Sequence, residues 1–319
     1  MNRELLLLRH GKSDWSTGLD DFHRPLTDRG KRGAQRIGVW LAQQKMVPDF
    51  IVTSPAERAL VTAQKACKAM GNGDEGIQRD RRLYAAGIDE LVAVLGDCPP
   101  DAGRVMLVGH NPGLEELLVW LASDTVTVPD DGKLLPTATL ARLYMPADWQ
   151  ALIAGCAQLD AITRPAMLPK KFPYPAPDGK EQRDRPAYYY TQSSVIPYRV
   201  RDGKMEILVI ASSKKHHLVV PKGIKDPGLS PRASAAKEAL EEAGIEGDIA
   251  ETALGSYTCE KWGATCTVAV YPMKVTRVIP EEEWEERHRG REWVAPDVAA
   301  SRLKQEELRP LVRKLEALL

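Results

Sequence analysis

The chain has 319 residues in which 44 Lys and Arg balance 44 Asp and Glu, so no overall basic field argues for nucleic acid or a membrane surface, and phosphate recognition would need local fields. That length is enough for two ordinary domains with separate cores. The five cysteines, Cys67, Cys98, Cys156, Cys259 and Cys266, are odd in number and include no Cys-x-x-Cys pair, which predicts a reduced cytoplasmic protein rather than a disulfide scaffold or zinc site.

The first predicted element is the leucine run Leu5 to Leu8, which fits a strand buried on both faces of a parallel sheet covered by helices. It is too short for a signal peptide or membrane span and follows the charged Arg3 and Glu4. Arg9-His10-Gly11-Lys12-Ser13 then forms a turn at the strand's carboxyl end, where open α/β sheets place their ligands. Arg9 offers a planar fork of donors to phosphate oxygens, and neutral His10 offers a ring nitrogen as nucleophile. Gly11 would let the backbone approach the bound group, with Ser13 as a second substrate contact.

His23-Arg24-Pro25-Leu26-Thr27 reads as a loop entering a helix that Thr27 caps and that runs through Ile37, Trp40 and Leu41. His23 is expected to be structural, and Lys12 and Arg24 have solvated readings beside functional ones. Phe50 to Thr53 reads as a short strand, after which Ser54 suits an N-cap and Pro55 the first helical position. Arg58 then lies in the first helical turn, where the helix terminus and the guanidinium both favour an anion. Val105 to Val108 is another buried strand. It turns through Gly109-His110-Asn111-Pro112-Gly113 into a helix carrying Leu114, Leu117, Leu118 and Leu121, with Asn111 as cap and Pro112 as first residue.

Two histidines and at least two arginines thus converge on one sheet rim, an arrangement suited to a phosphoryl group. At an effective dielectric near 20, each cation about 4 Å away contributes roughly 4 kcal/mol of gross attraction before desolvation. His10 would attack phosphorus, Arg9 and Arg58 would clamp its oxygens, and His110 would donate to the transferring group, with no metal required.

Leu-Leu-Arg9-His10-Gly11, Arg24-Pro-Leu-Thr27, Ser54-Pro55 followed by Arg58, and Val-Gly109-His110-Asn111-Pro112 resemble the histidine phosphatase superfamily. The short form, covering residues 1–158, is similar to the phosphohistidine phosphatases. The resemblance implies a three-layer, phosphoglycerate-mutase-like α/β domain. In it His10 becomes phosphorylated, while Arg9, Arg24, Arg58 and His110 complete the pocket. Glu90, with Glu57 behind it, is the candidate general acid, and lack of a strong acid would favour phosphoramidates or anhydrides with good leaving groups.

Residues 163–186 hold six prolines with Lys170, Lys171, Arg183 and Arg185. That composition cannot continue a helix or central strand and predicts a semi-rigid basic linker over 159–186. From Ala187 the periodicity changes. Ser194 to Tyr198 and Met205 to Ile210 read as strands around a turn at Asp202-Gly203. Pro221 to Leu229 reads as a loop, opening into a helix that Ser230 caps, Pro231 begins and Gly244 closes. Ala236, Leu240 and Ala243 would form its apolar face, while Glu238, Glu241 and Glu242 group on another. Carboxylates so close repel unless a cation compensates, and hard oxygens beside a glycine loop suit Mg²⁺ or Mn²⁺.

Gly223, Glu238, Glu241, Glu242, Gly244 and Ile245 resemble the Nudix box in register. Leu229 stands at its first glutamate, Lys237 at its arginine, and Ala239 is smaller than the aliphatic residue expected there. With Ser256-Tyr257, Thr265 to Tyr271 and Arg291-Glu292-Trp293, the likeness covers residues 187–319 and points to the diadenosine and diphosphoinositol polyphosphate hydrolase branch. It implies an α/β/α sandwich, metal ions held by Glu238, Glu241, Glu242 and the Gly223 carbonyl, and metal-activated water. The base is open among the carboxylates, with Glu241 carried as catalytic and Lys222 as a substrate contact. Glu285 or Glu286 would be a downstream ligand or a solvent-facing residue, and His216 and His217 would flank the phosphate loop.

Together these expectations describe a bifunctional cytoplasmic phosphohydrolase acting on phosphorylated small molecules, with a phosphohistidine protein as a further candidate partner, no membrane partner, no nucleic acid expected and an RNA 5′ end left open. The alternative is a protein phosphohistidine phosphatase whose Nudix domain senses a nucleotide without cutting it.

Overall fold

The computed structural model describes residues 3–212 and 217–318, and His216 lies outside them. The chain divides into two compact units, Met1–Pro186 and Ala187–Leu319.

In the first unit six strands, β1 (Arg3–Arg9), β2 (Phe50–Thr53), β3 (Ile77–Arg79), β4 (Arg104–Gly109), β5 (Leu140–Met145) and β6 (Gln158–Thr163), form a sheet in the order β3-β2-β4-β1-β5-β6. The four strands β3, β2, β4 and β1 pair parallel, whereas β5 and β6 pair antiparallel. Successive residues of a strand point to opposite faces, so the leucine run serves two cores at once. Leu5 and Leu7 join a cluster with α3 (Ile88–Gly96) and α4 (Gly113–Ala122), and Leu6 and Leu8 join one with α1 (Asp28–Gln43) and α2 (Glu57–Met70). All four are 0% exposed. Each is worth about 1.5–3 kcal/mol as an upper estimate of transfer energy, and together they fix β1 centrally in a three-layer α/β/α domain.

Helix starts differ from expectation in two places. Thr27 does cap α1, its hydroxyl accepting from the Gly30 N–H at 3.1 Å. Ser54, by contrast, precedes α2 without capping it, because the cap position falls at Ala56, and the Ser54 hydroxyl accepts the Ala56 N–H at 3.3 Å and pairs with His110. Asn111 is no cap either. The helix begins after Pro112, and the Asn111 amide donates to the Leu135 carbonyl at 3.2 Å.

Residues 159–186 are not a linker but part of the first unit. The β6 strand extends the sheet, the turn Pro165–Met167 packs on α1, and β7 (Phe172–Tyr174) pairs with β8 (Glu181–Arg183). Phe172 is 2% exposed and the Arg183 guanidinium lies 3.3 Å from the centre of the Tyr174 ring. Gln43 of α1 donates to the Pro177 carbonyl at 3.0 Å. The prolines thus form a strap laid on α1, and the second compact unit starts at Ala187.

The second unit is built on an eight-stranded sheet. Its path is β11 (Leu218–Val219), β10 (Lys204–Ala211), β9 (Thr191–Arg201), β15 (Ala264–Val278) and β13 (Ile245–Ile249). Off this path, β12 (Lys222–Ile224) pairs with β9, β14 (Gly255–Lys261) with β15, and β16 (Arg291–Val294) with β10. Strands β9 and β10 meet through a two-residue turn in which Asp202 and Gly203 both have positive φ, 52° and 72°. Helix α5 (Pro231–Ala243) covers one face, and α6 (Pro296–Arg302) and α7 (Leu308–Glu316) cover the other. Ser230 caps α5 through the Ala233 N–H at 3.1 Å, and Gly244 ends it in the left-handed conformation. The buried face is Ala235, Ala239 and Ala243, which keeps Ala243 of the expected face but has Ala235 and Ala239 in place of Ala236 and Leu240, and Leu240 is 42% exposed. Small side chains let α5 lie close on β9 and β13, which accounts for alanine at position 239.

Candidate active sites

In the first unit, Arg9 and His10 at the end of β1, Arg58 in the first turn of α2 and His110 just past β4 meet at the carboxyl rim of the sheet. They line a cavity of about 590 Å³ together with Ser13 and Arg24. The His10 Nδ1 lies 2.8 Å from the Gly11 carbonyl oxygen. A carbonyl only accepts, so Nδ1 carries the proton and Nε2 keeps its lone pair. Burial, together with Arg58, Arg9 and Arg24, pushes the His10 pKa down to about 4 against the pull of that carbonyl. Burial and the neighbouring His10 and Arg58 lower His110 to about 3. Both imidazoles are therefore neutral at pH 7.

Gly11 has a different task from the one expected. It does not line the cavity, and a Cβ there would meet the Gly30 carbonyl oxygen at 2.7 Å. The glycine allows α1 to pack on the turn, while the Gly11 N–H is fixed by Thr62 Oγ1 at 2.9 Å and its carbonyl orients His10. Thr62 in turn donates to the Arg58 carbonyl at 2.6 Å, so one hydroxyl joins nucleophile turn and clamp helix.

The arginines are held from several sides. Arg9 Nη1 donates to the Leu135 carbonyl at 2.7 Å, and Ser54 Oγ pairs with His110 Nε2 at 2.9 Å. Arg24 and Arg58 both donate to Asp21, at 2.8 and 2.7 Å, and the Tyr84 hydroxyl donates to the same carboxylate at 2.9 Å. Burial alone would raise the Asp21 pKa, but Tyr84 and the two guanidiniums outweigh it and keep the group ionised. Trp15 stacks on Arg24, with 3.4 Å from the guanidinium to the ring centre. Asp21, Tyr84, Trp15 and Thr62 carry no local signature, and only the fold brings them in.

Glu90 caps α3 by accepting the Gly87 N–H at 2.9 Å and does not line the cavity. Glu57 is the first residue of α2 and likewise does not line it. His23 pairs with Asp20 at 2.8 Å on the surface, as its structural reading expected.

In the second unit α5 carries Glu238, Glu241 and Glu242 beside β12. A Cβ at position 223 would meet Glu238 Oε1 at 1.9 Å, so any side chain there would displace that carboxylate from its place against the backbone. Burial, with Glu242, Glu241 and Asp226 nearby, raises Glu238 to about 8. Glu242 accepts the Lys222 N–H at 3.0 Å and Arg289 at 2.7 Å, and burial still holds its pKa above the ordinary value. Arg289 also pairs with Glu286, which brings that residue to the rim of the site, while Glu285 is exposed. Burial lowers the Lys222 pKa, and its ammonium lies 5.8 Å from the Tyr257 ring centre. Among the described residues no three His, Cys, Asp or Glu side chains are grouped as a ready metal site. The donor set still fits a hard divalent cation. Glu238 is a buried carboxylate packed against Gly223 beside two more carboxylates, and the nearby Lys237 does not offset burial and its acidic neighbours, so a further cation would.

One contact bears on the departures from the box, and others hold the helix end. Lys237 pairs with Asp226 at 2.7 Å, so a carboxylate three residues before Leu229 meets the cation that stands at the arginine position. Arg291 donates to the Ala243, Gly244 and Ile279 carbonyls, at 3.4, 3.1 and 3.0 Å, and Trp284 Nε1 donates to the Glu241 carbonyl at 3.1 Å. These contacts tie down the carboxyl end of α5.

The family model "Histidine phosphatase superfamily (branch 1)" matches residues 5–85, and "NUDIX domain" matches residues 191–315. A 2,3-bisphosphoglycerate-dependent phosphoglycerate mutase of Nocardia farcinica is 38% identical over 96 residues, which are 28% of this chain and 38% of that protein. Nudix hydrolase 12, mitochondrial, of Arabidopsis thaliana is 31% identical over 137 residues, 35% of this chain and 66% of that protein. The chain therefore spans less than two thirds of the length of either relative. Among solved structures, a candidate phosphohistidine phosphatase SixA from Nakamurella multipartitia aligns with a TM-score of 0.46 and 26% identity, over 52% of this chain and 97% of that one. Among the described residues no helix is long and apolar enough to cross a membrane.

Proposed function

Since the chain carries a histidine phosphatase superfamily domain and a NUDIX domain, we propose that it is a bifunctional cytoplasmic phosphohydrolase. In the first unit His10 Nε2 attacks phosphorus, the bond from phosphorus to the leaving oxygen or nitrogen breaks, and the phosphoryl group is held on the imidazole. Water then attacks that phosphohistidine and releases inorganic phosphate, restoring the ring. Arg9, Arg24 and Arg58 neutralise the phosphoryl oxygens, and His110 donates a hydrogen bond to them. With neither Glu90 nor Glu57 at the cavity, the leaving group departs without strong protonation, which favours phosphoramidates and anhydrides over alkyl esters. The observation that carries this reading is the His10 Nδ1 contact with the Gly11 carbonyl inside a cage of arginines.

The second unit cleaves a phosphoanhydride of a nucleoside polyphosphate, with diadenosine polyphosphates among the candidates. Glu238, Glu241, Glu242 and the Gly223 carbonyl would hold Mg²⁺ or Mn²⁺. Such an ion, when bound, supplies Lewis acidity and an activated water. Lys222 sits beside Gly223 to meet a phosphate oxygen. A second reading, a nucleotide sensor controlling the first unit, draws on Arg289 already occupying Glu242 and on Leu229 at the box's first glutamate.

Phosphorus NMR of products from dinucleoside polyphosphates, nucleoside triphosphates, diphosphoinositols and phosphohistidine, with and without chelator, tests the proposal. Chelator-sensitive turnover lost in Glu241→Gln and Glu242→Gln supports catalysis in the second unit, and nucleotide binding without turnover supports the sensor. If neither unit accepts the other's product, sequential processing of one metabolite is excluded.

A further inference from the structure

A second cavity, of about 700 Å³, adjoins the His10 cavity in the first unit, and Lys12 and Thr137 line both. Its walls carry seven Lys and Arg side chains against two carboxylates, Asp28 and Asp131. Asp131 is already taken, since Arg164 donates to its two oxygens at 2.6 and 3.0 Å. On the other wall Arg29, Arg32 and Arg36 follow one another along α1 at three- and four-residue intervals, which places them on one helix face. Among the described residues none of these three has a carboxylate within ion-pair distance, and Arg36 Nε is buried with no acceptor. Burial and the neighbouring Arg32 both disfavour the charged form of Arg36.

Like charges one turn apart destabilise a helix, and a buried donor without an acceptor costs about 1–3 kcal/mol. Ordinary solvated surface charge does not produce this pattern, because Arg32 and Arg36 are each partly buried at a concavity. An anion in the cavity would relieve both penalties. The cavity also shares Lys12 and Thr137 with the lining of the His10 cavity.

We propose that this cavity is a distal phosphate subsite, so that the first unit takes a small oligophosphate substrate whose terminal phosphoryl group reaches His10 while the next phosphates lie among Arg29, Arg32 and Arg36. This rests on the phosphatase reading above and narrows its substrate class. Leaving-group chemistry agrees with it, because the group expelled from an oligophosphate is itself a phosphate and needs little protonation.

The test uses the full chain, inorganic tripolyphosphate and para-nitrophenyl phosphate. Arg32→Gln with Arg36→Gln should raise KM for tripolyphosphate about tenfold, equivalent to roughly 1.4 kcal/mol, and leave para-nitrophenyl phosphate turnover unchanged. Lys133→Gln, an exposed change on the opposite wall, should move KM in the same direction with no risk to the α1 core. Equal losses on both substrates, or no change on either, would overturn the subsite. Calorimetry of tripolyphosphate binding to His10→Ala protein reads the subsite without turnover, with about tenfold weaker binding expected when Arg32 and Arg36 are also changed. If wild type turns over neither compound the phosphatase reading fails, and calorimetry still decides the subsite. Binding of an acidic protein or an RNA end in place of tripolyphosphate would overturn the oligophosphate assignment.

Discussion

The imidazoles of His10 and His110 stand 5.1 Å apart between ring centres, tilted by 50°. Two histidines so close, surrounded by three arginines, cannot both be protonated at low cost, and burial adds to that penalty. The neutral His10 keeps its lone pair through the physiological range, as a nucleophile requires.

The acid limb of kcat/KM for the first unit is therefore expected near pH 4, where His10 protonates, rather than near 6.5. Stability follows the same linkage. A histidine whose folded pKa is depressed contributes stability that is fully present above its unfolded value of 6.5, and this is lost as pH falls toward about 4 for His10 and about 3 for His110. His10→Ala should flatten the fall of Tm between pH 6.5 and 4, and an unchanged slope would count against the buried neutral ring.

Asp21 occupies the guanidiniums of Arg24 and Arg58, the groups a phosphoryl oxygen would need. Asp21→Asn removes the competing charge, so inorganic phosphate should inhibit at about three- to tenfold lower concentration, on the order of 1 kcal/mol for one charge-assisted contact. Weaker phosphate inhibition in that variant would show instead that Asp21 holds the clamp in position.

Gly223→Ala would drive a methyl group into the Glu238 carboxylate, 1.9 Å from Oε1. The expected outcome is loss of chelator-sensitive turnover by about ten- to a hundredfold, the scale seen when a metal's supporting contacts are disturbed, with the His10 reaction intact. Retained metal-dependent turnover would remove Gly223 and Glu238 from the site.

Glu238 is raised to about 8 by burial and its carboxylate neighbours. Because the folded state then holds a proton that the unfolded state releases above about 4.5, this group costs stability as pH rises from 4.5 to 8. A bound divalent cation offsets that cost. Saturating Mg²⁺ should raise Tm more at pH 8 than at pH 5.5, whereas equal increments would place the ion elsewhere.

Much of this architecture was legible in the residues. Four leucines announced a doubly covered strand, Thr27 and Ser230 announced helix starts, and Asp202-Gly203 announced a hairpin. The family likenesses agree with the matched domain models. What escaped had physical reasons. Proline-rich residues 163–186 suppress helix and strand periodicity, so a strap packed on α1 looked like a linker. The buried face of α5 is hard to read because alanines give little periodic contrast, and Leu240 outweighs Ala235 and Ala239 in the pattern. The local sequence points Gly11 at the ligand, but its contact is with Gly30, nineteen positions away and brought close only by the packing of α1. Asp21 and Tyr84 reach the cavity from loops whose local sequence has no periodicity to read.

The most direct test is to incubate the intact protein with a γ-³²P-labelled oligophosphate, quench rapidly in alkali, and map the label by peptide. An acid-labile, alkali-stable phosphoryl group is expected on the peptide containing His10, absent from His10→Ala and insensitive to chelator. Label that persists in His10→Ala, or turnover by the first unit with no labelled intermediate at any quench time, would contradict it.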